Sequence, residues 1–230
     1  MSVLSVIATP IGNLEDISAR ALRLLKEADF ILCEDTRQTR RLLDYYGIKT
    51  VTLSYHQHSN PAKEKRILNL LRAGKNLALV TDAGTPGVSD PGSRLVSLVR
   101  EQLAGQTEIV SIPGPSALAA ALAVVGVGFD RFLFLGFLPH KKGRQSQLQE
   151  ITRSHYPVVL YESKHRIAKL LTELSNLNKQ EKLNLRVYLA RELTKMHESF
   201  YFGPPDELLE IINSDPNNLK GEFVVLIQKI

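Results

Sequence analysis

The sequence contains no tryptophan, two methionines and one cysteine, Cys33, among 230 residues. A single thiol excludes an internal disulfide framework and points to a reducing compartment. The opening Met1-Ser2-Val3-Leu4 has neither the basic head nor the apolar stretch of a secretory signal, so a cytoplasmic location is expected. Long hydrophobic runs are missing as well. The longest, such as residues 117–125, fall well short of the roughly 20 that span a bilayer, and no membrane segment is expected. The six histidines show no HExxH, the lone cysteine excludes CxxC, and the pair His56/His58 is isolated; no metal site is expected. Neither G-x-G-x-x-G nor G-x-x-x-x-G-K-[ST] occurs, which takes sequence support from a dinucleotide-binding fold and from a P-loop.

What remains is an ordinary globular composition. A hydrophobic content of 43% is enough for one large core or two small ones. The net charge of +5 favours a phosphate-rich partner without identifying it.

Short apolar runs at residues 4–8, 30–33, 77–80 and 109–112 read as strands ending in polar or Gly/Pro loops. Helical patterns lie between them. Ile17, Ala21, Leu24, Leu25 and Ala28 share one helical face, and Gly47 and Gly74 stand where helices should stop. This order predicts a parallel β-α-β-α sheet in a first α/β domain, residues 1–125. Two glycines within residues 126–130 mark a linker, and residues 131–230 form a second α/β domain. Its strands are predicted at 132–135, 158–161, 185–190, 199–202 and 223–227, with helices near 144–152, 167–177 and 206–212. The connection between 185–190 and 199–202 is too short for a crossover helix, so the pair is antiparallel and the second sheet mixed.

The loop Thr81-Asp82-Ala83-Gly84-Thr85-Pro86-Gly87 follows an apolar strand. It offers backbone N–H groups at Gly84 and Gly87, a hydroxyl at Thr85 and a carboxylate at Asp82, where α/β sheets bind small molecules. The plain alternative is a turn with helix caps at Asp82, Ser89 and Asp90. Thr9-Pro10-Ile11-Gly12-Asn13 and Ile112-Pro113-Gly114-Pro115-Ser116-Ala117 end other strands on the same edge, so three loops should converge. Glu34-Asp35-Thr36-Arg37 joins them; Asp35 and Arg37 stand out, while Arg40 and Arg41 read as a solvated helix face. Cys33 reads as a core residue. In the second half, the runs at residues 161–166 and 190–198 are dense in charge, as a site or as ion-paired surface. Lys141-Lys142-Gly143-Arg144 is a basic finger or a solubilising loop.

These motifs together resemble the ribosomal RNA small subunit methyltransferase I family of the tetrapyrrole (corrin/porphyrin) methylase superfamily. The resemblance rests on residues 8–14, 33–37, 82–92, 112–117, 136–139, 161–166 and 190–198. It implies a two-domain tetrapyrrole-methylase-like fold with the active site in an interdomain cleft. It also implies a homodimer, S-adenosyl-L-methionine as methyl donor, and transfer to the ribose 2′-hydroxyl of a decoding-region cytidine in small-subunit (16S) rRNA. The substrate is then expected as an assembled or late-precursor small subunit. By the same resemblance the donor would touch Pro10, Gly12, Asp82, Gly84, Thr85, Val88, Ser116 and Ala117, with Tyr161, Ala190 and Gly221 from the second domain. Lys164 departs from the family pattern, which has proline there. Relatives often run on past the strand ending near Gln228, and a C-terminal extension assisting rRNA docking is expected to be missing.

To activate the ribose hydroxyl, as a positioned base or as a cation lowering its effective pKa, the candidates are Asp35, Glu192, Lys195 and Glu198, unranked. Arg37, Lys141, Lys142, Arg144 and Arg166 are expected to contact RNA phosphates. Two other readings stay open: methylation of a corrin-like ring, and a catalytically silent RNA-binding factor that keeps the donor as a structural ligand.

Overall fold

Side-chain alternation builds the first sheet. In the computed structural model, which describes residues 1–230 except Gln57, His58, Ser59, Pro91 and Phe129, five strands run parallel in the order β3-β2-β4-β1-β5. They are β1 (Ser2–Ile7), β2 (Phe30–Cys33), β3 (Val51–Ser54), β4 (Leu77–Leu79) and β5 (Thr107–Ile112). Successive residues point to opposite faces. Leu4, Leu32, Leu77 and Leu79 therefore pack against Ile67, Leu68 and Leu71 of α3 (Pro61–Arg72) and Leu95 and Val99 of α4 (Gly92–Gln102). Ile31, Cys33, Ala78 and Val80 face the other way, onto Ala21 and Leu25 of α1 (Ala19–Glu27) and Leu43 of α2 (Thr36–Tyr45). Truncating one of these leucines to alanine should cost roughly 2–5 kcal/mol. Cys33 is fully buried in this second layer, and burial raises its thiol pKa, as a core residue requires. His58, one of the pair considered as a ligand, lies outside the described residues.

The sequence reading missed β3. It is four residues long at the sheet edge, its side chains half-buried or exposed, and its Val-Thr-Leu-Ser alternation is too short to stand out from a loop.

The second unit begins with α5 (Ala117–Val124), since the chain divides into Met1–Ser116 and Ala117–Ile230. The sequence reading had ended the first domain after this helix, whereas the helix packs on a strand of the second sheet, β10 (Glu222–Lys229). That sheet has the order β6-β7-β10-β8-β9. Its other strands are β6 (Leu133–Phe137), β7 (Val158–Ser163), β8 (Leu185–Arg191) and β9 (Ser199–Gly203). Only β6 and β7 run parallel; β8 and β9 form the expected antiparallel pair, so the sheet is mixed. One core holds Leu160, Val187, Leu189 and Val225 against α6 (Arg144–Arg153), α7 (Ile167–Gln180) and α8 (Pro205–Ser214). No helix among the described residues is long and apolar enough to cross a membrane.

Candidate active site

All five strands of the first sheet release their chains at one edge. From β1 the chain passes to the α1 layer and from the neighbouring β4 to the α4 layer, so the connections part on opposite faces. Such a parting is where α/β sheets open a ligand-binding crevice. The loops after β1, β4 and β5 do converge. Thr9 and Gly84 exchange backbone hydrogen bonds, Thr9 Oγ1 donates to the Thr81 carbonyl at 3.1 Å, and Thr85 Oγ1 donates to the Pro115 carbonyl at 3.0 Å. Pro10 and Gly12 lie on the first of these loops, Val88 continues the second and Ser116 ends the third; Ala117 opens the next unit.

The donors expected to face a ligand are already engaged. Gly84 N–H serves Thr9, the Thr85 hydroxyl serves Pro115, and Gly87 N–H donates to the Asp90 carboxylate, whose other oxygen accepts from Gly92 N–H. The loop is a preformed wall held by its own bonds, and what it offers is shape. Gly84 has φ +85, and a Cβ there would sit 3.3 Å from Ile11 Cγ2 and 3.8 Å from the Pro115 carbonyl oxygen. The left-handed backbone calls for glycine here, and the missing side chain leaves room for Ile11 of the β1 loop, while Pro115 stands at ordinary contact distance. Alongside Pro86 and Gly87 runs an open groove of about 440 Å³, also lined by Val6, Ile109, Ser111 and Arg100.

Carboxylates gather at the same edge. Asp82 Oδ1 accepts the Asp35 N–H at 3.0 Å, and its carbonyl accepts Gln38 Nε2 at 2.9 Å, tying β4's loop to the start of α2. Asp35 caps α2: its Oδ1 accepts Arg37 N–H at 2.8 Å and its Oδ2 the Arg37 guanidinium at 2.9 Å. These bonds, the Arg37 side chain's first, hold the Asp35 carboxyl down at about 2, a poor proton acceptor. Glu34 differs. Burial first, then the charges of Asp82 and Asp90, raise its carboxyl above the ordinary range, against a weak 3.4 Å bond from Thr81 Oγ1. The sequence reading placed Glu34 in the same motif and passed it over. Neighbouring residues look equivalent in a sequence, and only the fold shows which of them caps a helix.

In the second unit, Tyr161 packs edge-on against Phe134 and Phe137, with ring centroids 5.1 and 5.6 Å away. Ala190 is buried in β8 between Phe200 and Val224. It lines an apolar pocket of about 250 Å³ with Ala121, Val124, Tyr188 and Phe202. Gly221 has φ +98, and a Cβ there would overlap the Glu192 side chain. Glu192 itself sits at φ +51. Its Oε1 accepts from Lys195 Nζ at 2.8 Å and from Glu222 N–H at 2.9 Å, while Lys195 also bonds Glu222 at 2.8 Å. For Glu192, burial pulls the carboxyl pKa upward, but the Lys195 and Glu222 bonds outweigh it and the group stays below the ordinary range. Burial likewise opposes the charge on Lys195, yet bonds to Glu192 and Glu222 prevail and raise its pKa. Lys195 is therefore held as a cation between two carboxylates. Glu198 is exposed and accepts the Thr194 N–H.

Arg191 was not singled out from the sequence, yet it organises this region. Buried, it donates to the carbonyls of Lys220 at 2.7 Å, Asn217 at 2.7 Å and His197 at 2.9 Å. One guanidinium thus holds the loop bearing Glu192 and Lys195 to the loop bearing Gly221.

The five expected phosphate contacts separate. Arg37, Lys141 and Lys142 are exposed. Arg144 is not: it is 3% exposed, and its guanidinium is engaged by both Glu173 oxygens, the closest at 2.7 Å, and by the Pro139 carbonyl. Arg166 is largely buried too, with Nε 2.7 Å from Glu162 and Nη1 2.7 Å from the Leu138 carbonyl. The sequence leads one to expect both as phosphate contacts because their acidic partners are invisible until the chain folds; here both side chains are engaged by Glu173, Glu162 and backbone carbonyls instead. Lys164 occupies a turn closed by Arg166 N–H on the Ser163 carbonyl at 3.0 Å, so the turn forms without the family's proline. No group of three or more His, Cys, Asp or Glu side chains is placed to hold a metal among the described residues.

A parallel sheet with converging carboxyl-edge loops, followed by a mixed sheet, is the architecture of a known class. The model for "Tetrapyrrole (Corrin/Porphyrin) Methylases" matches residues 3–209. Among solved structures, the methyltransferase CobJ superposes with a TM-score of 0.70 at 19% identity, covering 99% of this chain and 93% of its own, which is a likeness of fold. Sequence narrows the class. The ribosomal RNA small subunit methyltransferase I of Synechocystis sp. is 42% identical over 228 residues, 99% of this chain and 79% of that protein. Its namesake from Escherichia coli O157:H7 is 42% identical over 226 residues, 98% of this chain and 77% of that protein. The chain belongs to the ribosomal RNA small subunit methyltransferase I family, within the tetrapyrrole methylases.

Proposed function

We propose that this protein methylates a ribose 2′-hydroxyl of a decoding-region cytidine in 16S rRNA, within an assembled or late-precursor small subunit. The observation that carries the reading is the 42% identity to small-subunit rRNA methyltransferases over 99% of the chain. When bound, S-adenosylmethionine supplies the methyl group as a sulfonium electrophile. The carboxyl-edge loops of the first unit suit such a donor, because they are fixed before binding and lose little freedom on complex formation. Their carbonyls and Cα surface along Pro10, Gly12, Thr85 and Val88 shape the site, while Asp82 keeps the β2 and β4 loops together.

A ribose hydroxyl must lose its proton as its oxygen attacks, and a base near its working pH serves best. Glu34 meets that requirement better than Asp35, which is committed to a helix cap and to Arg37. In the second unit, Glu192 and Glu222 hold Lys195 as a cation, which suits it to contact an anionic group. Arg37, Lys141 and Lys142 are the phosphate contacts retained in the proposal. The homodimer belongs to the same reading and is tested by sedimentation. Incubation with methyl-labelled donor and undermethylated small subunits, followed by mapping of the label, tests the whole: one labelled 2′-O-methylcytidine in 16S rRNA is expected.

A further inference from the structure

Glu162 lies in β7 with its side chain wholly buried. Its Oε1 accepts from Arg166 Nε at 2.7 Å and from the Ser163 N–H at 2.8 Å. Its Oε2 accepts no hydrogen bond and stands 3.9 Å from Arg144 Nη1. A buried carboxylate oxygen left without a donor is unfavourable, and such groups persist where something else is gained.

The gain lies in what the two arginines hold. Arg166 Nη1 donates to the Leu138 carbonyl at 2.7 Å, and Arg144 Nη1 donates to the next carbonyl, Pro139, at 3.3 Å. The Arg144 N–H closes the same turn on the Lys141 carbonyl at 3.2 Å. Two buried guanidinium groups thus grip successive carbonyls of the segment after β6, and their charges are balanced by Glu162 and Glu173. From this segment Lys141 and Lys142 extend into solvent, and neither pairs with an acidic group among the described residues.

We infer that Glu162 is a positioning residue for the RNA substrate: it orients Arg166 and Arg144, they fix the Leu138 and Pro139 carbonyls, and the fixed segment presents Lys141 and Lys142 to phosphates. The choice of RNA as partner rests on the function proposed above; the positioning rests on the buried network alone. Lysines on a fixed backbone lose less conformational freedom on binding than lysines on a loose one. Arg144 and Arg166 therefore act through the segment they hold, although the sequence suggested direct contacts.

The test compares the unaltered full chain, K141A/K142A, Glu162→Gln and the triple variant, each binding undermethylated small subunits across a salt series. The lysine pair should weaken binding roughly tenfold at low salt and flatten the salt slope by about 1.4–1.8. Glu162→Gln should reproduce most of that loss, and removing the lysines from it should then cost less than about twofold more, because both changes disable one device. Amide hydrogen exchange of Arg144, whose N–H closes the turn on the Lys141 carbonyl, should speed up in Glu162→Gln, while affinity for S-adenosylhomocysteine stays within about twofold. Multiplicative losses, or exchange that does not change, overturn the positioning role; a lysine pair that leaves binding unaltered overturns the substrate part. If Glu162→Gln does not fold, Arg166→Gln carries the same comparison. Failure of the functional reading itself is seen separately, as absence of labelled rRNA with the unaltered chain.

Discussion

Thr9 and Gly84 exchange two backbone hydrogen bonds, Thr9 N–H to the Gly84 carbonyl at 2.9 Å and Gly84 N–H to the Thr9 carbonyl at 3.0 Å. This bridge joins the loops after β1 and β4 at the carboxyl edge of the first sheet. Gly84 must hold φ +85 to make it, with Ile11 against the place a side chain would take. Gly84→Ala should destabilise the protein by about 1–2 kcal/mol through the left-handed backbone, and Gly84→Val by more. Methyl-donor affinity should fall in step. Thermal melting and donor calorimetry on the same samples check this; full stability with normal affinity would show that the bridge is dispensable.

Glu34 and Asp35 should separate when each is made neutral. Glu34→Gln should lower the single-turnover rate by roughly 10²–10⁴-fold, the range for loss of a general base. It should also stabilise the protein at neutral pH. The Glu34 carboxyl is raised on folding, so its folded form favours the proton. Its contribution to stability is present below the unfolded value and lost as pH rises through the folded one; at pH 7 it is a half-buried charge facing Asp82 and Asp90. The stability difference should therefore vanish in acid. Asp35→Asn keeps a good capping residue and should retain most of the rate. The Asp35 charge stabilises above the ordinary carboxyl range, and that contribution fades as pH falls through about 2. A rate that drops with Asp35→Asn and not with Glu34→Gln would reverse the assignment.

Arg191 should matter for folding before chemistry. Replacing it by leucine leaves the carbonyls of His197, Asn217 and Lys220 without their buried donor. A loss of about 1.5–3 kcal/mol is expected, the range for hydrogen bonds made by a charged group, because the carbonyls belong to exposed residues and water replaces part of what is lost. Urea denaturation measures it. A change below about 0.5 kcal/mol, the range of ordinary surface substitutions, would show that other contacts hold the two loops together.

Much of this was legible in the sequence because local rules and global fold agree. The apolar runs of β1, β2 and β4 end in Pro/Gly loops, and parallel strands bring such ends to one edge. The short link between β8 and β9 permitted only an antiparallel pair. What escaped the sequence depends on partners far along the chain. Arg144 reads as part of a basic finger until Glu173, 29 residues on, closes over it. The N–H groups of Gly84 and Gly87 look available until Thr9 and Asp90 take them. Glu34 and Asp35 look interchangeable until one becomes a helix cap and the other a half-buried carboxyl beside Asp82. Periodicity reports which face is buried and says nothing of which charge is satisfied.

The central claim is met most directly by one measurement. Purified protein is incubated with methyl-labelled S-adenosylmethionine and small subunits from cells lacking the modification, and the labelled nucleotide is mapped by nuclease digestion and mass spectrometry. Label on the 2′-oxygen of a single decoding-region cytidine of 16S rRNA is the expected result. Label on a base, on a corrin-like ring offered in competition, or on no RNA despite tight donor binding would contradict it.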